Sequence, residues 1–353
     1  MEKLIKIRPY KAGDEKELND LFNKIFHKSR PLEKWKWMYC ENPASKNIAE
    51  WVTVAEKDGK IVGHYASWAV DFKVGDRVVT AGEPIDTMID PENKGGIELL
   101  INLIKEHAKN NHGIAAFTFG FPNKEIYEIG KRLLGYEDLG VMIQYFKRLS
   151  IREAVKSRFP GCPSFILQLA HKACRIFYSL TLSLQKMKGD NGRSIKRVHH
   201  FDERVDKLWE LIRSRYGIMA VRNQRYLNWR YGKGPFTIFI AERMGTLEGY
   251  VVLKLEGDAV KSGLIMDCFA LDEAIPALLQ AALRFFIDHG ADYVLCGIIR
   301  EDPFMAHLKR SGFREHKGFP PIPIVYGPLS SEIDLNFLKN PANWHFAYGD
   351  KER

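Results

Sequence analysis

The chain has 353 residues, of which 45% are hydrophobic, and its formal net charge is +9, a length and composition sufficient for two buried cores. No stretch approaches the ~20 uncharged apolar residues of a membrane span. Its five cysteines show neither disulfide nor metal-ligand spacing, and residues 1–6 begin no apolar segment of signal-peptide length. We therefore expect a cytoplasmic protein without a metal site.

The predicted elements of the first 150 residues alternate between strands and helices. Asp14 is placed to cap the first helix, and Asp58-Gly59 is a typical hairpin turn. The order predicts an α/β fold, a mixed sheet covered by helices. In chain order the elements are strand 4–8, helix 14–26, a short helix ending near Pro43, strands 51–56, 60–70 and 77–89, helix 96–110, strand 114–120, helix 124–134 and a closing strand pair in 136–149.

The positive charge is concentrated in one segment. Residues 151–200 contain ten Lys or Arg against two acids, a net of +8. The rest of the chain is therefore close to neutral. No base-stacking aromatics are interleaved with basic residues on a domain face, so we expect no nucleic-acid partner.

Within this basic segment, residues 163–187 show the pattern of one amphipathic helix. Polar side chains recur at spacings of three and four, and a wide apolar face includes Phe177 and Leu180. We favour packing of this face between two domains. The alternative is peripheral contact with an anionic membrane surface.

Residue patterns of the first half recur in the second. Trp37, Tyr39 and Pro43 are each followed 192 positions later by the same residue type. A second set, Ala55, Gly59 and Gly63, recurs after 186 positions. A drifting offset over so long a period predicts two whole domains. The boundaries are 1–150 for the first domain, 151–194 for the linker, 195–328 for the second domain and 329–353 for an aromatic tail, which either seals a domain surface or forms part of a cleft.

This order of elements resembles the GNAT superfamily of acyl-CoA-dependent N-acyltransferases. Residues 88–97, Phe119-Gly120-Phe121-Pro122-Asn123 and Gly135-Tyr136 are similar to bacterial GNAT-like proteins found with cell-surface polysaccharide genes. The resemblance covers 4–149 and again about 195–327. It implies two tandem GNAT-like domains joined by the basic helical linker, with acetyl-CoA or another acyl-CoA as co-substrate. The implied acceptor is a small-molecule amine, such as an amino sugar.

The resemblance also implies a binding site for the acyl-CoA. Backbone N–H groups at a helix start bind phosphate, and glycines let the backbone approach it. The loop of Asn93, Lys94, Gly95, Gly96 and Ile97 has that position, one residue shorter than the usual basic-Gly-x-Gly spacing.

Two further segments complete the implied acyl-CoA site. Thr87, Met88 and Ile89 correspond to the strand beside the thioester. The family's amide that contacts the CoA arm corresponds to Asn123, which equally suits a helix cap.

Acyl transfer to an amine needs a proton acceptor. Glu83 and Asp86 lie on the strand leading into the loop, at an odd separation that predicts opposite faces. We prefer Glu83, as several GNAT enzymes place their base there, with Asp86 and His64 as alternatives. The family's proton-donating tyrosine position, seven residues after the Asn, is Gly130 here. Tyr127 is the nearest substitute.

The second half has Leu271-Asp272-Glu273-Ala274-Ile275-Pro276 at the place of the phosphate loop. Two acids there would repel anions, so we expect acyl-CoA only in the first domain. Two other interpretations stay open. One is a non-catalytic GNAT-fold binding or scaffold protein, and the other is a Fem-type aminoacyltransferase.

Overall fold

The computed structural model describes residues 5–93, 96–133, 135–150, 158–163, 192–258 and 260–351, with isolated further positions between 155 and 176. We call residues 5–150 the first half and residues 192–351 the second half. The elements of the first half are β1 (Lys6–Pro9), α1 (Glu15–Phe26), α2 (Leu32–Tyr39), β2 (Val52–Lys57), β3 (Lys60–Val74), β4 (Arg77–Ile89), α3 (Gly96–Asn110), β5 (Ala115–Gly120), α4 (Lys124–Leu133) and β6 (Glu137–Arg148).

The second half repeats this order. Its elements are β7 (Arg193–Val198), α5 (Arg204–Ile212), β8 (Ile218–Ala220), α6 (Gln224–Tyr231), β9 (Phe236–Arg243), β10 (Thr246–Glu256), β11 (Ser262–Ala270), α7 (Ile275–Asp288), β12 (Tyr293–Ile299), α8 (Phe304–Arg310), β13 (Arg314–Glu315), β14 (Ile322–Pro328) and α9 (Leu335–Lys339). The predicted linker helix at 163–187, including Phe177 and Leu180, lies almost wholly outside the described residues. None of the described helices is long and apolar enough to span a membrane.

One mixed sheet runs through both halves. Its strand order is β1-β2-β3-β4-β5-β14-β6-β12-β11-β10-β9-β7, with β13 paired to β6 and β8 to β3. The closing strands are exchanged: β14 of the second half pairs with β5, and β6 of the first half pairs with β12. The two exchanged strands pair with each other, antiparallel. The expected closing pair within 136–149 is therefore wrong, because the second strand of that pair comes from residues 322–328.

A reciprocal contact joins the two halves beside the sheet. The indole N–H of Trp37 donates to the carbonyl of Trp229 at 2.8 Å, and the indole N–H of Trp229 donates to the carbonyl of Trp37 at 2.9 Å. Their rings stack with centroids 5.3 Å apart. Glu41 and Lys233, also 192 positions apart, form an ion pair at 2.5 Å. Contacts in which residue i meets its own counterpart are those of a two-fold arrangement.

The first half of the sheet has different helices on its two faces. Helices α1 and α2 pack on one face, where Leu18, Trp35 and Met38 join the main buried core. Helix α3 packs on the other face, where Leu99 and Leu103 contact Ala55 and Tyr65. We call these the α2 face and the α3 face. Between them, β4 and β5 form the part of the sheet that carries the candidate site.

Candidate active site

Strands β4 and β5 run parallel but stay paired only at their beginnings. The pairing includes Thr80 with Ala115 and ends at Gly82 with Thr118, whereas β4 continues for seven more residues. Over that length β4 pairs with β3 on its other side, and β5 pairs with β14. At the end of β5, a Cβ built on Gly120 would meet no heavy atom of the described chain within 4 Å. The sheet therefore opens into a wedge, which we call the first wedge.

A β-bulge shapes the β4 side of this wedge. Ala66 pairs with Ile85 and His64 with Met88, so Asp86 and Thr87 together face the single residue Tyr65. Asp86 takes the left-handed conformation, with φ of 50°. A bulge inserts one residue and re-aims the side chains that follow it. Thr87 and Ile89 are half-buried and Met88 is buried at this edge.

The bulge changes the expected faces of the two acids. Glu83 pairs with Trp68, and paired residues project to the same face. The indole of Trp68 donates to the carbonyl of Met38 in α2. Asp86 also contacts α2, because the Tyr39 hydroxyl donates to its Oδ2 at 3.0 Å. The prediction of opposite faces is wrong: both acids lie on the α2 face.

Asp86 belongs to a buried polar cluster, the Arg30 cluster, made of Arg30, Tyr39, His64 and Asp86. Arg30 Nη1 bonds Asp86 Oδ2 at 2.5 Å, and Asn19 Oδ1 accepts from Arg30 Nε at 2.8 Å. His64 Nδ1 lies 2.7 Å from the Asp86 carbonyl oxygen. A carbonyl only accepts, so Nδ1 carries the proton and Nε2 is an acceptor. Burial lowers the pKa of His64, so the imidazole stays neutral at pH 7.

Glu83 lies deeper in the strand than Asp86, only 4% exposed. Its carboxylate and the Arg30 cluster are on the same face of β4, on either side of Ile85. Glu83 and the neutral His64 are the two groups of this face whose chemistry suits them to accept a proton from an amine. Asp86 is committed to Arg30 and Tyr39.

The predicted phosphate loop is described only in part. Lys94 and Gly95 lie outside the described residues. The N–H of Asn93 bonds the carbonyl of Asp90 in a turn, and α3 begins at Gly96 with Ile97 exposed. Lys24 forms ion pairs with Asp90 and Glu92 at 3.0 and 2.8 Å, which offsets the two acids nearest this helix start.

Two other predicted residues lie at the start of α4. Asn123 Oδ1 accepts from the N–H of Ile126, so Asn123 acts as an exposed helix cap. The Tyr127 hydroxyl donates to Asp138 at 2.7 Å. That hydrogen bond raises the pKa of Tyr127 and directs its proton to a surface carboxylate.

Tyr136, expected only as a mark of the family resemblance, is a further candidate for the site. Its ring lies against Gly130, where a Cβ would come within 2.2 Å of the ring. The hydroxyls of Tyr65 and Tyr136 are hydrogen-bonded to each other, and burial raises the pKa of Tyr136, so the phenol keeps its proton at pH 7. Tyr65 contacts His107 of α3, which places the pair on the α3 face. The glycine at position 130, where the family has its tyrosine, is the sequence signal that the ring of another residue occupies the space of that tyrosine side chain.

The second half contains a corresponding opening that is filled. Strands β11 and β12 stay paired only as far as Ile265 and Cys296. Beyond that point, residues 344–350, which we call the C-terminal segment, enter between them. Ala347 pairs with Ile298, and the N–H of Ile299 donates to the carbonyl of Phe346 at 3.3 Å.

Side chains of the C-terminal segment complete the filling. A Cβ on Gly297 would lie 2.2 Å from the ring of Tyr348. The Asp350 carboxylate bonds Arg222 at 2.8 Å. On the side of the first half, Phe346 stacks on Phe119 with centroids 5.7 Å apart. The segment therefore seals the second opening and contacts the base of the first.

The start of α7 in the second half is unlike that of α3. Ala274 precedes the helix, and Pro276 is its second residue. Asp272 bonds Arg215 at 3.1 Å and lies 3.7 Å from His307. Proline removes one donor and the acid repels an anion, so this helix start is a poor phosphate site.

Among the described residues, no group of three or more His, Cys, Asp or Glu is arranged to hold a metal ion.

Comparisons with known proteins agree with this geometry. Residues 6–129 match the model of the acetyltransferase (GNAT) domain family. No curated protein matches the sequence significantly. Among solved structures, a GCN5-related N-acetyltransferase from Anabaena variabilis is 12% identical with a TM-score of 0.62, covering 93% of this chain and 73% of its own. One from Kribbella flavida is 13% identical with a TM-score of 0.59, covering 92% and 71%.

A third solved structure contains an acyl-CoA. N-myristoyltransferase from Saccharomyces cerevisiae, solved with bound myristoyl-CoA, is 11% identical with a TM-score of 0.55 and covers 92% of this chain and 82% of its own. At such identities the likeness concerns the fold. The chain has a GNAT-like mixed α/β fold, and the part of it that is similar to the GNAT acetyltransferase family is residues 6–129.

Proposed function

We propose that the protein is an acyl-CoA-dependent N-acyltransferase that acts in the cytoplasm, with acetyl-CoA as the simplest donor and a small amine as the acceptor. The observation that carries the proposal is the open first wedge. Beyond Gly82 and Thr118 the edge of β4 is not paired to β5, and the space beside Gly120 is empty of described atoms. An extended pantetheine arm with two amides fits an unpaired strand edge.

The contrast between the two halves supports a single donor site. The opening between β11 and β12 contains the C-terminal segment, with Tyr348 against Gly297. The helix that follows β4 starts with glycine, whereas α7 follows Asp272 and Glu273. We therefore assign the pyrophosphate to the start of α3, with Asn93, Gly96 and Ile97 at its described edge.

We further propose that the halves are two tandem GNAT-like units, of which the second has lost its donor site. The mirrored strand order and the reciprocal Trp37–Trp229 contact support this division. In this arrangement the second unit contributes a strand, β14, beside β5, and its C-terminal segment contacts the base of the first wedge.

The reaction would use groups on both faces of β4. The amine nitrogen attacks the thioester carbonyl carbon, its proton passes to Glu83, the C–N bond forms and the C–S bond breaks. The departing thiolate takes the proton of Tyr136, which Tyr65 orients. A thiol pKa of ~8.5 means that this last step needs only modest assistance. We assign stabilisation of the carbonyl oxygen to backbone N–H groups at the bulge.

The test is release of free CoA thiol from acetyl-CoA with a panel of primary amines. Glu83→Gln keeps the shape but removes proton acceptance, so turnover should fall by ~10²–10⁴ while affinity for CoA is retained. Asp86→Asn should instead lower the melting temperature, because it leaves Arg30 buried without its counter-charge.

The proposal fails if wild-type protein releases no thiol with any amine of the panel. If it still binds acetyl-CoA, the non-catalytic binding protein becomes the better interpretation. If Glu83→Gln retains full turnover, the base is not Glu83 and His64 is the remaining described acceptor on the α2 face.

A further inference from the structure

Both halves contain the same buried arginine, aspartate and tyrosine arrangement beside the strand that opens. In the first half, Asp86 Oδ2 accepts from Arg30 at 2.5 Å and from the Tyr39 hydroxyl at 3.0 Å. Arg30 and Asp86 side chains are only 5% and 7% exposed. The pair is electrically neutral and lies at the bulge that borders the first wedge.

The second half repeats the arrangement 192 positions later for the arginine and the tyrosine. Asp267 Oδ2 forms an ion pair with Arg222 Nε at 2.9 Å and accepts from the Tyr231 hydroxyl at 3.4 Å. Tyr250 takes the place of His64 on the neighbouring strand and also donates to Asp267, at 3.2 Å. The two clusters are counterparts in sequence, in strand position and in chemistry.

One difference separates them. Arg222 bonds a second carboxylate, that of Asp350, at 2.8 Å, and both groups are almost completely buried. Asp350 belongs to the C-terminal segment that occupies the second opening. A planar guanidinium has separate donors for two carboxylates, and here the chain itself supplies both.

Among the described residues of the first half, no second carboxylate bonds Arg30. Arg30 Nη2 is buried and has no hydrogen-bond partner in the described part of the chain. His64 Nε2, the acceptor nitrogen of the same cluster, is likewise buried and unpartnered among the described residues. A buried polar group left unsatisfied costs about 1–3 kcal/mol. The cluster thus lacks one anionic acceptor and one N–H donor.

We propose that the acceptor substrate is an amino carboxylate, whose carboxylate binds Arg30 Nη2 as Asp350 binds Arg222 and whose amine donates to His64 Nε2. The inference rests on the proposed function and specifies the acceptor of that site. α-Amino acids are the simplest members of the class, and amino sugars with an acid group also belong to it. In this scheme Arg30 is a substrate-binding residue. In the second half, the carboxylate of Asp350 in the C-terminal segment takes the position that the substrate carboxylate takes in the first half.

The experiment compares matched amines that differ only in the carboxylate. Twenty L-amino acids and the decarboxylated amine of each, where it exists, are offered with acetyl-CoA, and thiol release is followed. The carboxylate-bearing member should have the larger kcat/KM by ~10²-fold, the loss expected when a charged group is left unpaired. Equal rates for both members of every pair would overturn the inference and leave the acyltransferase assignment intact.

The variant test uses Arg30→Lys, which keeps a charge for Asp86 but has no second fork nitrogen. The ratio of kcat/KM for an amino acid to kcat/KM for its decarboxylated partner should fall toward one in this variant, and that ratio is the readout. The matched control is Arg8→Lys, since Arg8 makes a similar fork to Asp14 at 2.7 and 3.0 Å in the same half. An unchanged preference in Arg30→Lys would contradict the assignment of Arg30.

Binding alone provides an arm that does not depend on turnover. The melting temperature of wild-type protein, without acyl-CoA, should rise with at least one amino acid of the panel and not with its decarboxylated partner. Arg30→Lys should abolish that shift. If an amino acid raises the melting temperature but no thiol is released with any amine, the carboxylate site is supported and the proposed acyl transfer is refuted. No shift with any amino acid, together with no carboxylate preference in turnover, would refute it.

Discussion

Substituting Gly120 tests whether the first wedge admits the donor. Gly120→Leu places a side chain in the space where a Cβ meets no described atom within 4 Å, so the fold should tolerate it. Replacing a strand glycine also lowers the entropy of the unfolded chain, so the melting temperature should stay the same or rise slightly. The leucine would occupy the volume through which the pantetheine arm must pass.

The hydrogen bonds that the unpaired edge of β4 can make set a lower bound on the loss of acetyl-CoA affinity in Gly120→Leu. If the arm cannot enter, the two hydrogen bonds that its amides make with that edge are lost, at about 1 kcal/mol each. The dissociation constant of acetyl-CoA should therefore rise at least about 30-fold, measured by calorimetry.

The control is Gly297→Ala in the second half. Its new Cβ collides with Tyr348, so it should cost about 1–3 kcal/mol of stability by overpacking and leave acetyl-CoA affinity unchanged. If Gly120→Leu binds acetyl-CoA as well as wild type does, the donor does not enter between β4 and β5.

Two further predictions concern the phenol and imidazole groups of the α3 face. Tyr136→Phe should keep its packing against Gly130 but lower kcat about 10-fold. Tyr127→Phe should leave kcat unchanged, because the Tyr127 hydroxyl already donates its proton to Asp138. The opposite pattern would identify Tyr127 as the proton donor. Burial lowers the pKa of His107 to about 3, whereas the same group has a pKa of ~6.5 in the unfolded chain. Below pH 6.5 the unfolded chain therefore binds one more proton than the folded protein. The free energy of unfolding falls as the pH drops from 6.5 toward the folded pKa. Between pH 7.5 and 5, His107 should lower the free energy of unfolding by about 2 kcal/mol, measured by chemical denaturation. His107→Gln should lack this contribution. If the variant loses as much stability over that pH range as the wild type does, the assignment to His107 is wrong.

Local patterns predicted the elements of the first half closely. The strand at 77–89 and the helix at 96–110 were predicted with the bounds that the structure has. Periodicity and turn chemistry are local, and these segments carry both. The exchange of β6 and β14 was not predictable in the same way. The residue pattern of a strand shows that it lies in a sheet, but not which neighbouring strand it pairs with.

The site was only partly predictable. The open edge of β4 follows from the family resemblance, but the bulge at Asp86 comes from a register shift against β3 that the strand's own pattern does not reveal. Arg30 and Arg222 share the 192-residue offset of the tryptophans, so the sequence did contain a signal for the buried cluster. The position of the C-terminal segment depends on contacts 128 residues apart, such as that of Arg222 with Asp350.

The stoichiometry of acetyl-CoA binding tests the central claim most directly. With an open first wedge and a second opening filled by Tyr348 and Asp350, titration calorimetry should give one acetyl-CoA per chain. Binding should weaken at least about 30-fold in Gly120→Leu. Two molecules per chain would show that the second opening is also a donor site, and no binding at all would contradict an acyl-CoA wedge in the first half.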